Sequence, residues 1–325
     1  MRKQAGYATG GFGKWGLGPP GSESDPTVFF DEFYGYNCQR MAHNYYPYHL
    51  WDDQEKIMLA GNEGKQKNQY APDLIQEQTL SFIEAYQDTS FFLYVPSVIP
   101  HAELIAPDSI MALFRGQFGE EEPWEGTDDG PSYRRGPYES QAEPHAAFAA
   151  MVTLLDDQVG AIRRKLEELG LAENTIVVFT TDNGAETITY PDGGITPFRG
   201  GKLTTWEGGM RAPMLVRWPG HINAGTNPDQ IFSSLDWVPT LVNIAGGPSG
   251  DGLKKQIEAG KYPGILKTTL DGVDQRDYLE DKSDSARDTF FYYTGKDPSA
   301  VRYKNWKFYY TMVPSEATGA FSAPV

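Results

Sequence analysis

A mixed, mostly parallel α/β sheet flanked by helices, followed by a smaller antiparallel β unit, is the fold class this sequence predicts. Helical periodicity alternates with short apolar strands up to residue 247. Those strands stop abruptly on proline, glycine or polar residues. Past residue 247 the pattern becomes aromatic and alternating. The chain has 325 residues, enough for one large domain at 1–247 and a smaller subdomain at 248–325. An apolar fraction of 39%, with 13% aromatic residues, can fill a sizeable core.

The first element that declares itself is "DLIQEQTLSFIEAY" (73–86), where Leu74, Ile75, Phe82, Ile83 and Tyr86 recur at helical spacing. A short strand, "FFLYV", follows at once and is stopped by Pro96, with His101 just beyond it. From Ala102 to Gln141 the chain is rich in glycine, proline and acids and too long for a routine connector, so disorder and a substrate-lining role are equally open. Phe148, Met151, Leu155, Val159, Ile162, Leu166 and Leu169 then step by three or four until Gly170 ends a second helix. "TIVVFTTDNG" is a buried strand that runs straight into Asp182, Asn183 and Gly184. "APMLVRWPG" (212–220) is a further strand, and "SSLDWVPTLVNIAGG" (233–247) a helix with a glycine stop. Last, "DTFFYYTG" and "SAVRYKNWKFYY" read as an antiparallel hairpin.

Composition removes several function classes. No apolar run approaches membrane-spanning length. A formal net charge of -16 repels phosphate backbones, and no basic stripe offsets it, so nucleic acid is not an expected partner. One cysteine, Cys38, excludes an intrachain disulfide and a cysteine-rich metal site. The N-terminal "MRKQAGYATGGFGKWGLG" carries no apolar targeting segment.

In an open α/β sheet ligands gather at the carboxyl ends of strands. His101 lies after "FFLYV", and Asp182 with Asn183 after "TIVVFTT", where they could be a turn or a pair of hard oxygen ligands held by a parallel strand. In "TPFRGGKLTTWEGGMRAP" glycines surround Arg199, Lys202, Glu207 and Arg211, a frame in which backbone can bend around an anion while cations reach it. The N-terminal "GYATGGFGKWGLG" sets Lys14 and Trp15 in the same glycine frame.

Together, "GYATGGFGKWGLG", "PHAEL" after a strand, "TTDNG", "GGKLTTWEGGMRAP" and "SLDWVPTLVNIAG" resemble, in order, the marks of the type I sulfatase (arylsulfatase) family of the alkaline-phosphatase superfamily. "EFYGYNCQRMAHNYYPYHLW" is similar to a segment of its bacterial members. The resemblance covers nearly the whole chain and implies an alkaline-phosphatase-like sheet, hydrolysis of a sulfuric ester, and periplasmic or secreted localisation. It implies that Asp182 and Asn183 are ligands of a divalent cation, usually Ca2+, a metal that takes carboxylate and amide oxygens. It implies that Lys14, His101 and Lys202 are catalytic and substrate-binding groups on the sulfate and its leaving oxygen, with a sulfated small molecule or glycan as partner. These loops are then expected to converge at one rim.

The sequence departs from that pattern in three ways. The family's formylglycine comes from a C/S-x-P/A-x-R motif; neither "NCQRMA" at Cys38, "SDPTV" at Ser24 nor "SDSAR" at Ser283 matches it. Of the pairs Asp52-Asp53, Asp128-Asp129 and Asp156-Asp157, none follows an apolar strand as the family's metal-binding pair does, and the last fits a solvated helix face. Gly16 stands where the family commonly has histidine in "GKWHLG". The expectation is a chain that begins partway through the domain, on the tail of a helix in "MRKQAGYATG", and that has little turnover by itself. A phosphodiesterase or phosphonate hydrolase of the same superfamily, and a non-catalytic binder of sulfated glycans, are the alternative readings.

Overall fold

Three of the seven residues of β1 (Ala8–Lys14) are glycine, and that composition suits the strand to the middle of a sheet. A Cβ on Gly10 would lie 2.6 Å from the Phe12 ring and 2.9 Å from Phe82, and one on Gly11 2.7 Å from Phe30. These glycines therefore let aromatic rings press onto the strand. The anion-wrapping glycine frame expected around Lys14 is, through residue 14, extended backbone, because neighbouring strands claim its hydrogen bonds on both sides.

The computed structural model describes residues 5–186, 194, 196–262 and 269–311. The chain divides into two compact units, the first running to Ala172 and the second formed by the described residues from Glu173 onward. The helix tail expected in "MRKQAGYATG" falls largely outside the described residues, and β1 begins at Ala8.

In the first unit β1 lies between β2 (Glu32–Tyr36) and β5 (Phe91–Tyr94), parallel to both. The antiparallel strands β3 (His49–Asp52) and β4 (Glu55–Met58) extend the sheet in the order β4-β3-β2-β1-β5. Helix α1 (Ala71–Ala85) packs on β1 and on α2 (Pro144–Glu168), burying Ile75, Phe82 and Ile83 with Ala146, Ala147, Ala150 and Met151. The small residues of the first turns of α2 supply the close contact, while Phe148 and Leu155 are only partly covered. Asp156 and Asp157 are exposed on α2, as a solvated face requires.

The segment 102–141 is folded rather than loose. Trp124 and Gln141 bridge antiparallel. Arg134 is fully buried, giving Nε to Glu139 (3.1 Å) and Nη1 to the carbonyls of Asn62 (3.1 Å) and Gln66 (2.9 Å).

In the second unit β6 (Val177–Thr180) pairs with β7 (Met214–Arg217). That pairing is antiparallel, which corrects the expectation of a parallel strand carrying Asp182 and Asn183: the chain between them turns back, so β7 runs the other way. Ser233 caps the next helical stretch through a capping box with Asp236, ahead of α3 (Trp237–Ile244). The predicted hairpin gains a third strand: β8 (Thr289–Thr294), β9 (Asp297–Tyr303) and β10 (Trp306–Tyr309) form one antiparallel sheet. One face carries Phe291, Tyr293, Tyr303, Trp306 and Phe308, all exposed, with Trp306 at 69%. No helix among the described residues is long and apolar enough to cross a membrane.

Candidate active site

Two adjacent parallel strands of the first unit, β1 and β5, end toward Lys14 and toward the segment that carries His101. Lys14 is the last residue of β1, opposite Tyr36, and its N–H donates to the Pro96 carbonyl (2.8 Å) in the segment leaving β5. His101 lies farther along that segment. Its N–H donates to the Tyr45 hydroxyl (3.1 Å), which itself donates to the Val98 carbonyl (2.8 Å). Tyr45 is buried, so this post is rigid.

The His101 ring has aromatic company. His43 stacks on it with centroids 5.0 Å apart and planes 14° from parallel. The Tyr138 hydroxyl lies 3.5 Å from His101 Nδ1. Tyr138 comes from the end of the 102–141 segment, which is latched here by Asn44. That side chain accepts the Gly136 N–H (3.0 Å) and donates to the Pro137 carbonyl (3.1 Å). Glu103 completes the latch by accepting the Glu139 N–H at 2.9 Å. Burial pushes the Glu103 carboxyl up to about 8, although the Glu139 N–H favours its charged form.

Gly16 has φ +68, and a Cβ there would lie 2.9 Å from Gln39 Cβ. A side chain at this position would strain the left-handed backbone and press on Gln39.

In the second unit Asp182 and Asn183 leave β6 and enter a turn fastened to the glycine-rich segment. The Gly184 N–H donates to Gly209 (3.0 Å), and a Cβ on Gly184 would sit 1.7 Å from the Gly208 carbonyl oxygen. Lys202 N–H donates to the Ala185 carbonyl (2.8 Å), and its Nζ lies 3.0 Å from Glu186 Oε2. The sequence-predicted Asp182, Asn183 and Lys202 are thus joined by main-chain bonds across at most three residues. Asn183 Nδ2 donates to the Gly184 carbonyl (2.9 Å), which turns Oδ1 the other way, and Asp182 is exposed. Two hard oxygens of this kind suit a divalent cation, but six to eight are needed for Ca2+. Among the described residues no group of three or more His, Cys, Asp or Glu could hold a metal.

The β8–β10 sheet braces that segment. Glu207 receives Lys307 Nζ (2.8 Å) and Arg302 Nη1 (2.7 Å), and the Trp206 ring packs on Tyr309 (4.5 Å). Burial pushes the Glu207 carboxyl up, but Lys307 and Arg302 outweigh it and hold the group below its usual value. Asp236, fully buried, accepts Arg287 Nε (2.9 Å) and Nη2 (2.6 Å) together with the N–H groups of Ser233 and Val273. The "SLDWVPTLVNIAG" mark is thereby a structural hub.

Sequence reasoning passed over His43, Tyr138 and Glu186. "AHNYYPYHLW" was visible as a segment, but only folding reveals that its histidine meets one 58 residues later. Nothing local marks Tyr138.

A family model described as "Sulfatase" matches residues 1–247. The chain is 30% identical to N-acetylgalactosamine-6-sulfatase of Rattus norvegicus over 326 residues, covering 94% of this chain and 52% of that protein. It is 32% identical to arylsulfatase A of Homo sapiens over 319 residues, covering 91% and 53%. The crystal structure of Ps i-CgsB in complex with k-i-k-neocarrahexaose superposes with a TM-score of 0.70 at 24% identity, over 94% of this chain and 63% of that one, a likeness of fold. The chain spans about half the length of the curated relatives it matches.

Proposed function

The chain belongs to the sulfatase family, and from that premise we propose that the whole protein hydrolyses a sulfate ester of a sugar or aryl alcohol. Asp182 and Asn183 contribute oxygens to one divalent cation, Ca2+ as the family resemblance implies. That cation, when bound, withdraws charge from the sulfuryl oxygens. By the resemblance Lys14 and Lys202 each carry positive charge for sulfuryl oxygens, and His101 holds the proton needed by the departing oxygen. Glu186 keeps the Lys202 ammonium in place until a sulfate competes for it.

The observation that supports this best is the Lys202–Ala185 main-chain bond with the Gly184–Gly209 bond beside it. Together they fix the backbone of Lys202 beside the turn that carries Asp182 and Asn183. That a neighbour in fold is described with a neocarrahexaose bound favours a glycan as the alcohol part.

The test compares sulfate release by residues 1–325 with release by a version carrying any in-frame sequence upstream of Met1. Aryl sulfate and a sulfated monosaccharide serve as substrates, with Ca2+ present. The expected outcome is turnover by the longer protein and little by residues 1–325, which have no C/S-x-P/A-x-R motif. Phosphate esters cleaved faster than sulfate esters would overturn the reading.

A further inference from the structure

The segment "AHNYYPYHLW" brings one side chain to His101 to which the roles above assign nothing. We propose that His43 is a positioning residue for His101, holding its ring by stacking and coupled to it by charge, so that the two imidazoles are not both charged near neutral pH. The functional weight of this pairing rests on the reading of His101 as a proton carrier; the pairing itself does not.

Geometry carries the argument. The rings are 5.0 Å apart and 14° from parallel, a separation at which a second positive charge is strongly disfavoured in a partly covered site. Both histidines are half-buried. His43 Nδ1 lies 3.3 Å from the Gly136 carbonyl oxygen, an atom that can only accept. His43 therefore carries hydrogen at Nδ1, whichever state it is in, and its proton count changes at Nε2. The Tyr138 ring closes the cluster at 5.1 Å from His43 and 5.9 Å from His101, and its hydroxyl faces His101 Nδ1.

The charged and titratable groups around the pair come from four segments. Arg40 lies across Gly136, with its Nε 2.3 Å from where a Cβ there would be. Tyr45 accepts the His101 N–H, and Glu103 lies two residues farther on. Glu139, next to Tyr138, is neutralised by Lys67 (2.7 Å) and Arg134 (3.1 Å). Lys14 ends the neighbouring strand.

Isotope-labelled histidine NMR on residues 1–325 tests this without any turnover. The chain has five histidines, so His49, His145 and His221 serve as internal controls. In the unsubstituted chain His101 should titrate over a broadened or two-step curve. His43→Gln should leave one step with its midpoint raised by about 0.5–1 pH unit, and His101→Gln should raise His43 equally, since coupling is reciprocal. His43→Phe keeps a ring on the stack and removes the charge, so its titration curve decides the matter if His43→Gln does not fold. A His101 curve unchanged in a folded His43 variant overturns the pairing, as does a shift that is not returned. If the pairing holds while His101→Gln leaves sulfate release by the active longer protein intact, the proposed role of His101 fails and the pairing survives.

Discussion

Asp236 is the position where one substitution should cost the second unit most. Its carboxylate is fully buried and Arg287 is nearly so. Asp236→Ala leaves that guanidinium without its counter-charge and strips the Ser233 and Val273 N–H groups of their acceptor. A loss of about 3–5 kcal/mol is expected, the usual cost of breaking a buried pair from one side. Urea denaturation measures it, and a variant within roughly 1 kcal/mol of the parent would show that the pair is solvated. Lys202 makes the opposite kind of prediction. With its side chain about one-fifth exposed and its main-chain bond independent of side-chain identity, Lys202→Ala should fold normally. If Lys202 holds the sulfate as proposed, sulfate release by the whole protein should nevertheless fall about 100- to 1,000-fold in this variant, the scale for removing one stabiliser of transition-state charge. Lys202→Arg should restore little, because a planar fork does not substitute for a compact ammonium in a glycine-lined turn.

At the scale of elements, the C-terminal sheet and the glycine-rich segment act as one piece. Lys307 and Arg302 reach Glu207 from β10 and β9, while Gly209 holds the segment to the turn after β6 by accepting the Gly184 N–H. Glu207→Gln removes the charge that both cations answer. Amide hydrogen exchange at Gly184, Lys202 and Gly209 should then speed up about tenfold, a shift equal to roughly 1.4 kcal/mol of local stability. Unchanged protection would mean that the Trp206–Tyr309 packing suffices alone. The elements themselves were largely legible: periodicity located both long helices, and β-branched and aromatic runs located β5, β6, β7 and the last sheet. Pairing was not. Whether β6 meets a parallel or antiparallel neighbour depends on a 33-residue connection, 181–213, whose path no local pattern encodes. The glycines of β1 misled for a related reason. Glycine serves both a bent loop and a strand crowded by rings, and only Phe82 and Phe30, far along the chain, decide which. That Asp182 and Asn183 follow a strand and Lys202 lies in a glycine-rich turn was readable, because strand ends and glycine frames are local signals. Tyr138 was not, because its place depends on Asn44 and Glu103 pulling a 40-residue excursion back.

For the molecule as a whole, Glu103 links stability to pH. Its carboxyl ionises at about 8 when folded against 4.5 ordinarily, so the folded chain keeps a proton that the unfolded chain releases. The stabilisation is fully present below about 4.5, falls as pH rises from there to about 8, and is flat above. The midpoint of thermal unfolding should drop across that window, and Glu103→Gln should flatten this contribution while keeping an acceptor for the Glu139 N–H. A slope that survives the substitution would locate the linkage elsewhere. The outer face of the β8–β10 sheet has a colloidal consequence. Trp306, Phe308, Phe291 and Tyr293 present a wide oily surface on a polypeptide whose net charge is -16. Mutual repulsion keeps such particles apart in dilute buffer, and it reaches only about 3 Å in molar salt against about 30 Å at 0.01 M. Light scattering should therefore report clustering on adding sodium chloride, and Trp306→Lys should delay its onset.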